Sequence, residues 1–539
     1  MSRRTSSGRT GLRRAATFLA TGLVSLGVVT ALGVAPAQAF DPVHTAMQGS
    51  PTATGQTNGA VWTLEVAGGR IYAGGEFTST RPSGSARGTG ETQIANLAAF
   101  DATTGAPITS FAPQLTNAFT GRQGVVRASV LTPDGSQLIV GGDFNRVDGQ
   151  RADYLARFDA ATGAFLGGVG QNGVDGPVSS LAVSPDGTAL YVGGRFSRVG
   201  NATRRNVGAI SLTTNRTLPW APTVALPTSN EALRVTALAV SSDNQRVFLG
   251  GPFRQVNGQA QQGFAATNAA DGTLAAGFRG DYLFAPYSWG TAIEVAGNEV
   301  YVGSRADNTG GDLRRTEGVT RLDATTGART WYANCYGDTF GLQVLGDEVY
   351  VATHAHDCSR AGGHPEVNPR TYLAVVALNR STGVVRPYFV QTDGVEQDQR
   401  SLLLSRALAS DGTQLVMGGG FNKVNGSDQE NLTRFLPGSA APERAAYPTA
   451  TAGPGYVDLR IRLGYDRDDT QLTYEVFRGW RTDVPVYSET RESVKWRTES
   501  FTWRDTAVTP GQKVYYRVRV SDPAGNQVMS VRTPDTTVG

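Results

Sequence analysis

Three of the four histidines in this chain of 539 residues fall within eleven positions, at His354, His356 and His364. His354 and His356 are two apart in a run of β-forming residues, which puts both imidazoles on one strand face. Asp338 lies upstream and Asp357 follows His356. Two imidazoles and one carboxylate would supply three ligands for a divalent metal, with His354, His356 and Asp338 as the first choice, or an acid–base group. The competing reading is a disulfide-stapled corner whose histidines are ordinary polar surface. Cys335 and Cys358, the only cysteines, bracket the segment. Their bond would close a loop worth about 3 kcal/mol in the chain-entropy account. A second cluster, Tyr282, Phe284, Tyr287 and Trp289, offers amphipathic ring faces on which a sugar would stack, with Tyr282, Tyr287 and Trp289 as the candidate ligand platform. The same rings serve equally as packing between elements. No cofactor is expected; a divalent metal is the one addition left open.

Other chemistry is missing. There is no Gly-x-Ser-x-Gly elbow, P-loop or His-Glu-x-x-His pair. A glycosidase needs two carboxylates roughly 5–10 Å apart, and the many aspartates sit mainly in turns, where their side chains serve the backbone.

The N-terminus reads as an export signal. Arg3, Arg4, Arg13 and Arg14 precede a mostly apolar run from Ala15 to Val34, and Ala37-Gln38-Ala39 supplies a small-x-small cleavage site. Residues 1–39 are therefore expected to be a signal peptide, by the Sec or twin-arginine route, with the mature chain starting at Phe40. Their removal takes away five arginines and shifts the formal charge from +3 to −2. A near-neutral chain with three lysines has no basic stripe for nucleic acid, and no later segment is apolar enough to cross a bilayer. Secretion, a disulfide and a monomer without membrane or nucleic-acid partners are the resulting expectations.

A repeat must position these residues. A β-rich run ending in Gly-Gly-x-Phe occurs at Ile71–Phe77, Leu138–Phe144, Leu190–Phe196, Val247–Phe253 and Leu415–Phe421. Degenerate copies occur at Val300–Ser304 and Val349–Thr353. An alternating strand precedes each copy; a loop, a third strand and a turn such as Asp323-Ala324-Thr325-Thr326-Gly327 follow it. Successive pairs lie 49 to 67 residues apart, the span of four short strands in a propeller blade. Each such sheet has two apolar faces that only neighbours can bury. The spacing predicts an all-β, seven-bladed β-propeller over residues 40–437. Residues 40–60 act as closing strand and lead-in, because the seventh unit lacks the final strand that Phe40–Val43 would supply. The degenerate fifth and sixth copies hold the histidine cluster.

These copies resemble the delta-60 repeat, bacterial propeller repeats built on a V-G-G-x-F element; the resemblance covers roughly residues 60–437 and implies a fold more than a function. The Asp-Ala-Thr-Thr-Gly turns are also similar to those of quinoprotein propellers, without a set of residues for a quinone. Residues 438–450 read as a linker. Beyond it, Pro510–Val518 followed by Asp522-Pro523-Ala524-Gly525-Asn526 resembles a fibronectin type III-like β-sandwich over 451–539, with a tyrosine placed as in a tyrosine corner. The first functional expectation is a secreted, non-catalytic binding protein for an extracellular or cell-wall ligand, polysaccharide or protein. The alternative is a secreted polysaccharide-active hydrolase or metal-dependent enzyme, its site in blades five to six or the central funnel.

Overall fold

Wherever the repeat runs, alternating β-branched and aromatic residues pair as antiparallel meanders. The computed structural model describes residues 47–539 apart from 172, 227–232, 281–282, 285–287, 307–315, 394–403 and 498, all within one compact unit. The protein is all-β. A single 3₁₀ turn at Ser359–Ala361 is the only helical element among the described residues.

Among the described residues, seven meander sheets, each built on one copy of the repeat, follow one another along the chain, besides small sheets of two- and three-residue strands. The first holds Ala60–Ala67, Arg70–Glu76 and Leu97–Asp101; the second Val125–Leu131, Gln137–Asp143, Leu155–Asp159 and Phe165–Gly168. The third holds Val178–Val183, Ala189–Gly194 and Val207–Ser211, the fourth Ala237–Val240, Arg246–Gly250 and Phe264–Asn268. The fifth runs Ser288–Ala296, Glu299–Ala306, Gly318–Asp323 and Arg329–Ala333. The sixth runs Thr339–Leu345, Glu348–Ala355, Leu373–Asn379 and Val385–Val390, and the seventh Ser405–Ser410, Leu415–Gly419 and Leu432–Phe435.

The Gly-Gly pair has a separate cause at each position. A Cβ on the first glycine would strike the first strand of the next sheet: Gly74 meets Val126 at 2.5 Å, Gly141 meets Val178 at 2.4 Å, and Gly418 meets Val61 at 2.6 Å. The last contact joins the seventh sheet to the first, and their first strands pack together as consecutive ones do. A Cβ on the second glycine would strike a carbonyl of its own sheet, as Gly142 does with Val125 O at 1.9 Å. A β-bulge beside that carbonyl, between Val126 and Ala128, presses the strands together. The phenylalanine that follows is buried in each clear copy, from Phe77 to Phe421.

Phe40–Val43 lie outside the described residues. The outer edge of the seventh sheet instead meets Thr52, bridged to Arg434, and Met47, bridged to Pro437. Arg434 is 1 % exposed and donates to carbonyls of Ala53, Ala102 and Thr103. It ties the lead-in to both the first and seventh sheets.

The C-terminal region forms two facing sheets. One orders Tyr447–Gly453, Tyr456–Arg462 and Ser500–Asp505; the other orders Tyr487–Glu492, Gln471–Arg478, Tyr516–Ser521 and Gln527–Met529. The strand Tyr447–Gly453 begins within the segment read as linker, because its Ala-Thr alternation pairs fully with Tyr456–Arg462. Val457, Leu459, Ile461, Tyr474, Val476 and Val518 fill the space between the sheets.

Candidate functional site at one rim of the sheets

Six of the seven first strands carry a bulge at the same place, and a bulge re-aims the extra side chain. The residues so displaced are Trp62, Arg127, Ser179, Thr291, Phe340 and Arg406. In the fourth sheet Thr236 N–H reaches the Gly250 carbonyl from the corresponding position.

Three of these residues meet. The Arg406 guanidinium lies 4.1 Å from the Phe340 ring centroid and 5.5 Å from that of Trp62. Phe340 touches the His354 ring at 5.6 Å, and the Asp338 N–H points at His354 Nε2 over 3.4 Å. Asp338 also accepts from the Ala306 N–H at 3.3 Å and pairs with Arg305 at 3.4 Å. Arg305 in turn covers the Trp289 ring at 5.2 Å. Strand ends from the first, fifth, sixth and seventh sheets thus build one cluster of rings and charges. Burial lowers the His354 pKa, an effect Asp338 partly offsets while His356, Arg406 and Arg305 add to it. Burial, then repulsion from Arg305, brings Arg406 down to about 10, against the pull of Asp338.

His356 shares Tyr372 with His354, at ring distances of 5.8 and 6.4 Å. Its Nδ1 lies 3.7 Å from Glu366, and burial, then Arg370, lowers its pKa. Both Nδ1 atoms are buried without a hydrogen-bond partner. Asp357 accepts from the Ser359 N–H and shapes the turn there. Among the described residues, the group that gathers three ligand atoms within 4.8 Å is Asp466, Asp469 and Asp522, not His354, His356 and Asp338. His364 lines one cavity with His356 but packs its ring on Trp496 and Phe389, and burial takes its pKa to about 3. The Cys335–Cys358 disulfide is present, and the Cys335 carbonyl receives the His356 and Asp357 N–H groups.

Of the aromatic platform, Tyr282 and Tyr287 lie outside the described residues. Trp289 is 5 % exposed beneath Arg305, and Phe284 joins the Phe248 and Phe264 core. The turn aspartates hold their own loops. Asp101 receives the Thr103 and Thr104 N–H groups and the Thr104 hydroxyl, and Asp323 repeats the pattern.

Two further carboxylates went unnoticed in the sequence. Glu65 and Glu294 occupy matching positions on the first strands of the first and fifth sheets, three residues past the bulge. Desolvation lifts Glu65 to about 8, the Ser129 hydroxyl partly offsets this, and the charge of Glu294 adds to it. Burial takes Glu294 to about 7. Glu294 thus acts on Glu65 although their sheets are not neighbours along the chain. Position within the repeat was the available signal. Trp62, Phe340 and Arg406 each stand twelve residues before the first small residue of their pair, and Glu65 and Glu294 nine before theirs.

A family model described as "Domain of unknown function (DUF5122) beta-propeller" matches residues 131–165, the stretch from the end of the second sheet's first strand to the start of its fourth. No curated protein matches the chain. The match and the meander sheets together make this an all-β protein with a β-propeller domain.

Proposed function

We propose that the protein is a secreted, non-catalytic binding propeller that takes an anionic extracellular polysaccharide at the rim where Trp62, Phe340 and Arg406 converge. That convergence carries the reading. Aromatic faces stack on sugar rings, guanidinium groups bind carboxylate or phosphate, and Arg305 and Arg127 add cationic charge to the same rim. The titratable groups are already engaged with one another, Asp338 with Arg305 and with the Ala306 N–H, which suits binding better than proton transfer.

The seven sheets are read as the blades of one closed ring. Support comes from the Gly418–Val61 approach, the Thr52 and Met47 bridges, and the influence of Glu294 on Glu65. The C-terminal sheets are read as a fibronectin type III-like sandwich. Their three-plus-four strand order supports this, as does the buried Tyr516, whose hydroxyl donates to Asp505 at 2.8 Å. Secretion rests on the basic and apolar N-terminal residues, the Ala37-Gln38-Ala39 site and the disulfide. No helix among the described residues is long and apolar enough to cross a membrane.

Calorimetry of the mature protein against acidic and neutral polysaccharides tests the binding reading. Acidic chains are expected to bind, and Arg406→Ala and Trp62→Ala each to weaken them about tenfold or more. Unchanged affinity in both variants would refute the rim as the site. A second reading, a polysaccharide hydrolase working in the central funnel, is favoured by Glu65 and Glu294. A carboxylic acid protonated near pH 7 beside a carboxylate is the pairing such chemistry uses. Release of reducing ends, abolished in Glu65→Gln and Glu294→Gln, would establish that reading in place of the first.

A further inference from the structure

Asp466, Asp469 and Asp522 are 3 %, 2 % and 5 % exposed, and one carboxylate oxygen from each lies within 4.8 Å of the others. Two oxygens bound to one ion at about 2.4 Å are at most about 4.8 Å apart, so these three carboxylates are close enough to share one. Three buried carboxylates this close repel unless something positive joins them. The arginine between them in sequence does not: Arg467 pairs with Glu443 at 2.5 Å and lies over the Phe389 ring.

A second observation points the same way. Asp466 Oδ1 accepts the Asp468 N–H, while Asp466 Oδ2 and Oδ1 of the wholly buried Asp468 receive no donor from the surrounding chain, so that only a proton held between the two carboxyls or an added cation can satisfy them. A buried carboxylate oxygen without a donor is costly, and a cation removes the cost. The donors are oxygen only, with no histidine or thiolate, which selects a hard cation. Carboxylates from two turns distant in sequence suit the adaptable shell of calcium better than the strict octahedron of magnesium.

We propose that Asp466, Asp469 and Asp522 bind one calcium ion, and that the ion clasps the C-terminal sandwich to the closing end of the propeller. The surroundings give the ion that role. Ser439 Oγ, two residues past the last propeller bridge, lies 2.7 Å from Asp469 and 2.8 Å from Asp522. Asn526 donates to both the Ser439 carbonyl and Asp522. Asp468 Oδ2 accepts the N–H of Ala440 at 3.0 Å and that of Gly49, in the lead-in segment, at 2.9 Å. The acidic turn therefore grips the chain just before the first sheet and just after the seventh.

The test titrates calcium chloride into the full mature chain after chelation, by calorimetry and by thermal unfolding, with magnesium chloride as comparator. One ion per chain is expected, with Kd in the ~10⁻⁴–10⁻³ M range of extracellular modules. Melting temperature should rise saturably with calcium and much less with magnesium. Asp522→Asn and Asp466→Asn, checked for a native circular dichroism spectrum, should each lose about tenfold or more in affinity. Should either variant fail to fold, the wild-type titration decides alone. No calcium uptake and no melting shift up to about 10 mM would overturn the proposal. A chelated Asp466→Asn that melts higher than a calcium-indifferent wild type would overturn it too, and show a shared proton in the ion's place.

Discussion

At the scale of single residues, the same substitution has opposite consequences at two places in one sheet. Gly142 and Gly168 lie in the same sheet. A Cβ on Gly142 would sit 1.9 Å from the Val125 carbonyl, whereas on Gly168 its closest neighbour is 3.9 Å away. Gly142→Ala must force the bulged strand aside and is expected to cost about 2–3 kcal/mol or more in denaturant unfolding. Gly168→Ala removes freedom from the unfolded chain without a clash and should stay within about 1 kcal/mol of wild type, on the stabilising side. Titration offers a second residue-scale test. Desolvation pushes the Glu65 carboxyl up from its ordinary 4.5 to about 8, so the folded protein holds a proton that the unfolded chain has released. Stability is then lost as pH rises from about 4.5 to about 8. Glu65→Gln cannot lose that proton. Its melting temperature should match wild type near pH 4 and exceed it above pH 8, each pKa unit being worth about 1.4 kcal/mol; an identical pH profile would show that Glu65 is ionised throughout.

At the scale of elements, the disulfide joins the exits of two strands, Arg329–Ala333 and Glu348–Ala355, across 23 residues. It holds the turn that presents His356 and Asp357. A Cys335→Ser/Cys358→Ser double variant should lose about 3 kcal/mol, and mild reduction should reproduce the loss. The sequence showed this pairing because two cysteines admit one partner. It showed the sheets as well, since Gly-Gly-x-Phe marks a second strand wedged against both its own bulged neighbour and the next sheet. The rim was harder to see. His354 and Asp338 stood out by residue type, but of their partners only Phe340 is in the same sheet, while Arg406 and Trp62 come from other sheets, Trp62 292 positions before His354. They meet only because equivalent bulges turn them to one rim. Residue type also misled attention from Asp466, Asp469 and Asp522. Two of these lie in one turn and the third lies 53 residues on, and only the pairing of Gln471–Arg478 with Tyr516–Ser521 brings the turns together.

At the scale of the whole molecule, a chain whose first and last sheets touch must fix its two ends to each other. The lead-in does this by a few backbone bonds, Gln48 N–H to Leu436, Thr52 N–H to Arg434 and Gly55 N–H to Gly105, and through one buried guanidinium. Arg434 spends its donors on Ala53 in the lead-in and on Ala102 and Thr103 in the first sheet. Arg434→Met would leave the buried Ala102 carbonyl without its donor, at a cost of about 1–3 kcal/mol. A chain that starts at Asn58 would lose the lead-in and expose the edge strand Leu432–Phe435, so it should melt lower and be cut early by protease near that edge. The two changes remove overlapping interactions. Their combined cost should fall short of the sum by about 1 kcal/mol or more, and adding the 47–57 peptide should restore stability to the truncated chain while helping its Arg434→Met form much less. Strict additivity in that cycle, or equal rescue of both chains, would mean that the ends are held by the sheet contacts alone and that the guanidinium is a local feature of the seventh sheet.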